Sequence, residues 1–175
     1  MKNKKTLIIE KSLILFKNNS FFAISTQDLA KRLNIQKSLL FYYFKNKTNL
    51  YYEVINNYFE NLKNKFAIIF KKNLSAEKRL QLLSELYLHE LDNSELTDLI
   101  NIVNKNSKQP ITDLVYQIQE EIINFFSLVV EEGIRKGEFR KANAYNMSLA
   151  LIGYLDKNKQ YNIKLKKNWF EFLLK

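Results

Sequence analysis

Residues 25–47 read STQDLAKRLNIQKSLLFYYFKNK, and the rest of the chain takes its place around them. The stretch spells two short helices joined by a tight turn. Ser25 is a good N-cap, and Asp28 three residues on can return a bond to its amide, the capping-box arrangement. Leu29, Ala30 and Leu33 then share one face at helical spacing. Asn34 falls where the chain must reverse, and Asn accepts a positive φ better than any residue but Gly. The second helix carries Leu39, Leu40, Tyr43 and Phe44 at its apolar positions. Gln36, Lys37, Ser38 and Tyr42 are left facing outward. A tight helix pair whose second member has a polar, basic outer face has the parts of a DNA-binding helix-turn-helix.

Working outward, the composition favours helices everywhere. The chain has 175 residues, 46% of them hydrophobic, with only 3 Gly and 1 Pro. Sheet-rich folds need many turns, and turns need those residues. The fold class expected is all-α: a three-helix head joined by a long helix to a helical body. The absence of Cys excludes disulfides, thiol nucleophiles and thiolate metal sites. It fits a cytoplasmic location. No run of about 18 apolar residues is present, so no membrane span is expected. Glu10 and Lys11 interrupt the apolar run that follows the basic N-terminus, which argues against a signal peptide.

The net charge is +10, and its distribution is uneven. The first 57 residues hold ten Lys/Arg against three acids, a net of +7; the remainder holds 18 against 15, a net of +3. The positive field therefore belongs mainly to the segment with the two short helices, and it suits a polyanionic partner.

Helical spacing places a first helix over about 3–18, with Leu7, Ile8, Ser12, Leu15 and Phe16 on one side. Phe21 and Phe22 are expected to pack back under the two short helices. Asn46 is a fair cap for a long helix from Lys47 to about Lys72. Its apolar band (Leu50, Val54, Tyr58, Leu62, Phe66 and Ile69, flanked by Tyr51, Ile55, Phe59 and Phe70) is wide enough to be buried on two sides. Further helices are expected from Ser75 to about Leu91, over about 95–105, 110–136 and 142–156, and over about 163–174. Gly137 is a natural stop. The domain division is 1–46 for the head and 47–175 for the body.

With these residues in view, the chain resembles the TetR family of bacterial transcription regulators. Ile8, Ile9, Leu15 and Phe16 match the family's first-helix pattern. Asp28-Leu29-Ala30 matches its D-I-A signature. Ile35, Lys37, Leu40, Tyr43, Phe44 and Lys47 match the run V-S-K-G-T-L-Y-x-Y-F-x-x-K, without a gap over about residues 7–55. A second match, over residues 131–140, looks like the segment many members carry between their last two major helices. Departures stand at Ser20 and Asn34, where Gly is common, at Gln36, where Ser usually caps, and at Ser38, Leu39 and Phe41, which replace Gly, Thr and Tyr. The resemblance implies a homodimer that binds a palindromic DNA operator and is released by a small-molecule effector. Repression is the usual outcome in the family. The dimer is expected through the helices at about 110–136 and 142–156.

Each candidate residue has a chemical reason. Lys37 can reach guanine or a phosphate, and Gln36 can read adenine with its amide fork. Ser38, Leu39 and Tyr42 are the neighbouring reading positions, where a tyrosine ring suits a thymine methyl and its hydroxyl a phosphate. Ser25 and Thr26 open the first short helix, whose amides and hydroxyls suit a phosphate. Lys47 is placed for a phosphate contact, and Tyr43 for a half-buried anchor beside the backbone. Tyr58, Phe59, Leu62, Phe66, Leu83, Tyr87, Tyr116 and Phe125 are candidate lining for an effector pocket; ordinary core is the competing reading for each. His89 is the lone histidine, with Glu85 and Glu90 near it. A metal site would need more ligands, and a surface or pocket-edge position is expected. No metal, cofactor or catalytic constellation is expected, since there is no Gly-rich phosphate loop and no G-x-S-x-G elbow. Two rival readings remain: a helical dimeric adaptor that has lost sequence-specific DNA binding, and a basic protein lying on a membrane surface.

Overall fold

The structure, a computed structural model, describes residues 3–19, 21–92 and 109–161. Seven helices run in order among them: α1 (Lys4–Asn18), α2 (Thr26–Arg32), α3 (Lys37–Phe44), α4 (Lys47–Phe70), α5 (Ala76–Asp92), α6 (Gln109–Lys136) and α7 (Ala144–Gln160). The fold is all-α, as expected. The helices anticipated near 95–105 and 163–174, and the departure at Ser20, lie outside the described residues. No described helix is long and apolar enough to cross a membrane.

Contacts divide the chain into two compact units. The first holds residues up to Lys63 and, on α6, those up to Tyr116; the second holds residues from Asn64 and from Gln117 onward. Within the first unit, α1, α2 and α3 close over Ile8, Ile9, Phe16, Ile24, Leu29, Leu40 and Phe44. The start of α4 completes this core with Leu50, Tyr51 and Val54. Phe16 meets Tyr51 edge-on at 4.9 Å, and Phe21 lies 4.7 Å from the same ring. Lys5 on α1 pairs with Glu53 on α4 at 2.8 Å. Two expectations shift. Leu7 is 43% exposed, and Ile9 takes its place on the buried side. Phe22 is 60% exposed, so of the two adjacent rings only Phe21 packs inward.

Within the second unit, α5 packs against α7, and Phe66, Leu80, Leu83, Phe126, Val129 and Leu155 fill the core. The segment between α6 and α7 is built around Gly133. A Cβ there would collide with the Phe139 ring, which folds back onto the helix. Gly137 takes φ 73°, and the amides of Glu138 and Phe139 both donate to the Gly133 carbonyl, at 2.8 and 3.1 Å. This closes the C-terminus of α6 with a left-handed residue. Glu138 then accepts from the Glu77 amide at 3.2 Å, so a distant carboxylate helps the Ser75 hydroxyl cap α5. Arg79 is the centre of the same corner. Its guanidinium pairs with Glu132, donates to the Lys72 carbonyl at 3.2 Å and lies over the Phe70 ring. Glu132 also accepts from Lys136 at 2.6 Å. That bond, with Arg79 behind it, holds the Glu132 carboxyl below its usual pKa against the opposing effect of burial.

α7 starts two residues later and ends four residues later than expected. Asn143 supplies the cap that moves its start, accepting from the Asn146 amide at 2.9 Å. Near its other end the Tyr87 hydroxyl donates to Asp156 at 2.8 Å, so α7 is still held against α5 there.

Candidate nucleic-acid interface

The α2–turn–α3 unit is assembled by local hydrogen bonds. The Ser25 hydroxyl accepts from the Asp28 amide at 3.1 Å, and the Asp28 carboxylate accepts from the Ser25 amide at 3.3 Å. A bond from the Ser25 hydroxyl, and after it the one from the Ser25 amide, hold the Asp28 carboxyl below its usual pKa. The Ser25 hydroxyl hydrogen also goes to Asp28, at 2.6 Å. Ser25 is therefore engaged in capping, and a carboxylate sits at the helix start where a phosphate was the alternative. Thr26 is half-buried beside it. At the other end of α2, Asn34 takes φ 54°. The Ile35 amide donates to the Ala30 carbonyl and the Asn34 amide to Lys31, at 3.0 and 3.1 Å. This is the Schellman pattern with Asn in the left-handed position.

α3 buries Leu40 and Phe44 and turns its other side to solvent. Gln36 stands at its N-cap, but its side chain makes no capping bond. Lys37, Ser38, Phe41, Tyr42 and Lys45 form the outward face. Leu39 and Tyr43 are half-buried at its edge. The Lys37 ammonium lies 5.7 Å from the centre of the Phe41 ring, and Tyr42 meets Tyr43 edge-on at 5.1 Å.

The corner from α3 into α4 is strained. Lys45 has φ 63° and ψ −41°, and the Asn46 amide donates back to the Phe44 carbonyl at 2.7 Å. That is a γ-turn in its rare, strained form. A non-Gly residue held there costs about 1–3 kcal/mol. Asn46 then caps α4, as expected, accepting from the Asn49 amide at 2.8 Å. Lys45, with Tyr43, Phe44, Asn49, Tyr52 and Glu53, borders an open depression of about 320 Å³. Sequence reasoning missed Lys45 as a candidate contact. Its charge was visible, but nothing in a lysine announces a positive φ.

Lys47 has a task of its own. Its ammonium donates to the carbonyls of Phe21 and Ile24 at 2.7 and 3.0 Å and lies 4.4 Å from the Phe21 ring. Partial burial pushes its pKa below the usual lysine value. Two of its three hydrogens are thus spent on the turn before α2, which leaves one for the phosphate contact expected of it.

Residues 8–54, the whole of this interface and the core beneath it, match the family described as bacterial regulatory proteins, tetR family. Over these residues the chain is similar to the tetR family. It is 31% identical over 126 residues to the HTH-type transcriptional regulator YuxN of Bacillus subtilis, an alignment that covers 70% of this chain and 41% of YuxN. It is 26% identical over 129 residues to IcaR of Staphylococcus aureus, the negative transcriptional regulator of the biofilm operon icaADBC, covering 70% of this chain and 69% of IcaR. In fold it is similar to a transcriptional regulator from Saccharomonospora viridis solved in complex with choline, with a TM-score of 0.80 at 18% identity, over 94% of this chain and 87% of that one. These relatives are transcription regulators and not enzymes.

The residues considered for an effector pocket divide between the two units. Tyr58, Phe59 and Leu62 are buried in the first, and Tyr116 of that unit lies 59% exposed. Phe66, Leu83 and Tyr87 are buried in the second, where Phe66 meets the half-buried Phe125 edge-on at 5.2 Å. His89 is on the surface, as expected, with its ring 3.8 Å from the buried carboxylate of Glu90 that Lys65 pairs with at 2.6 Å. No group of three candidate metal ligands occurs among the described residues.

Proposed function

We propose that this protein is a homodimeric repressor that holds a palindromic operator through α3 of each copy and lets go when a small molecule binds its helical body. The observation that carries the reading is the outward face of α3. A rigid scaffold of Leu29, Ala30, Leu40 and Phe44 presents Gln36, Lys37, Ser38 and Tyr42 to solvent on the basic end of the chain. The negative regulation named for IcaR supports repression, and the choline held by the S. viridis regulator supports a small effector. A reducing cytoplasm is the compartment this reading requires.

The second unit supports a dimer through α6 and α7. Leu128 on α6 and Leu149 on α7 are 55% and 50% exposed, with Tyr145 and Tyr154 beside Leu149. Gly153 is on the same exposed side of α7, and a Cβ added to it would meet nothing within 4 Å. A glycine inside a helix costs about 1 kcal/mol against alanine. Among the described residues nothing within 4 Å repays that cost; a second copy's helix approaching closely would.

The test is binding of the purified protein to its own promoter and to random duplex DNA over a range of salt. Affinity for the promoter should exceed that for random DNA and fall steeply with salt, as phosphate contacts release counterions. Lys37→Ala should weaken promoter binding while sedimentation still reports a dimer. Equal affinity for promoter and random DNA would favour the adaptor reading, and binding to neither would end the repressor reading.

A further inference from the structure

We propose that α3 reads its DNA chiefly through thymine methyl groups, received by the exposed rings of Phe41 and Tyr42. The inference rests on α3 being the recognition helix and names what that helix recognises. In the major groove each base edge asks for a different partner. Guanine is read by Arg or Lys, adenine by Asn or Gln, cytosine by Asp or Glu, and thymine by an apolar group against its C5-methyl. The outward face of α3 holds Lys37, Ser38, Phe41, Tyr42 and Lys45, with Gln36 at its start. It has no Arg for guanine and no carboxylate for cytosine. Lys37 rests against the Phe41 ring, and Lys45 sits beyond the end of the helix on its strained turn.

The rings are the largest groups left. Tyr42 is 79% exposed and Phe41 40%. Phe41 has no polar atom, so it can bond neither a phosphate nor a base edge. The one apolar group the major groove offers it is the thymine methyl. Gln36 adds to this, because its amide is uncommitted at the helix start and its fork suits the N6 and N7 of adenine. The ring pair suits thymine and the Gln36 amide suits adenine, so both favour A·T pairs and the half-site is rich in them.

The experiment selects duplexes from a random library with the full-length protein. Each thymine of the selected site is then replaced by deoxyuridine, which pairs identically but lacks the methyl. At one or more thymines in each half-site the replacement should weaken binding about fourfold, the worth of one buried methyl-sized group. Phe41→Ala or Tyr42→Ala should remove that sensitivity while the melting temperature stays at the wild-type value, since both rings are exposed. Tight binding that ignores deoxyuridine at every thymine overturns the inference and leaves the DNA-binding reading intact. So does a selected site dominated by G·C, or a deoxyuridine effect that persists in both variants. Failure to enrich any duplex overturns the DNA-binding reading itself.

Discussion

The corner that starts α2 and the corner that starts α5 solve one problem in opposite ways. Each must satisfy the free amides of a helix N-terminus. At α2 the partners are Ser25 and Asp28, three residues apart. At α5 the Ser75 hydroxyl is joined by Glu138, 61 residues from the amide it receives, while Arg79 on the first turn reaches Glu132 across 53 residues. Each corner also holds a carboxylate below its usual pKa. Asp28 is held by its bonds to Ser25, and Glu132 mainly by its bond to Lys136, with Arg79 behind it. A short-range lock can form as soon as its own turn forms. A long-range one exists only once several helices have been brought together, so its loss is felt by all of them.

Three substitutions would break or sharpen that contrast. The largest effect is expected from Arg79→Ala. It leaves a partly buried Glu132 without its guanidinium and the Lys72 carbonyl without its donor, at a cost of about 3 kcal/mol in urea unfolding of the full chain. A change under about 1 kcal/mol would mean that the ion pair only decorates the corner. Next comes Gly133→Ala, which drives a methyl into the Phe139 ring. Overpacking of this kind costs about 2 kcal/mol, and Phe139→Leu in the same chain should recover part of it. Smallest is Ser25→Ala, about 1 kcal/mol for a lost cap, seen as faster amide exchange in α2 with little change in α5.

The Asp28 carboxyl adds a pH signature to that last test. Its pKa is lowered by folding, so the stability it lends α2 is fully present above the ordinary carboxylate range. That stability is lost as pH falls through the lowered value. Protection of the α2 amides should therefore decline in acid in the wild type and decline less in the Ser25→Ala chain.

What could be read before the structure follows the same division. The capping box, the turn at Asn34, the Asn46 cap and the buried stripe of α4 all came from spacings within a few residues, and the structure has each of them. Apart from the start of α7, moved by its own Asn143 cap, the expectations that moved involve partners far along the chain. Phe22 looked as apolar as Phe21, and only the position of Tyr51 decided which ring went in. Lys47 was placed for a phosphate contact, and only the fold shows that the carbonyls of Phe21 and Ile24 take two of its three hydrogens. Residues 131–140 were visible as a pattern without a reason. The reason is a ring folded onto Gly133 and a carboxylate delivered to another helix.

The sequence by itself determined the order of the described helices, the caps at Ser25 and Asn46 and the outward chemistry of α3, because those depend on side-chain identity at separations of three or four residues. Tertiary structure decided which charges are spent internally, which aromatic rings stay in water, and that Lys45 sits at a positive φ. Those outcomes depend on where distant segments arrive, and a local pattern carries no information about arrival. The face of α3 joins the two: its residues could be listed from the chain alone, but which of them are still uncommitted, Gln36 above all, is known only once the rest of the first unit has folded around it.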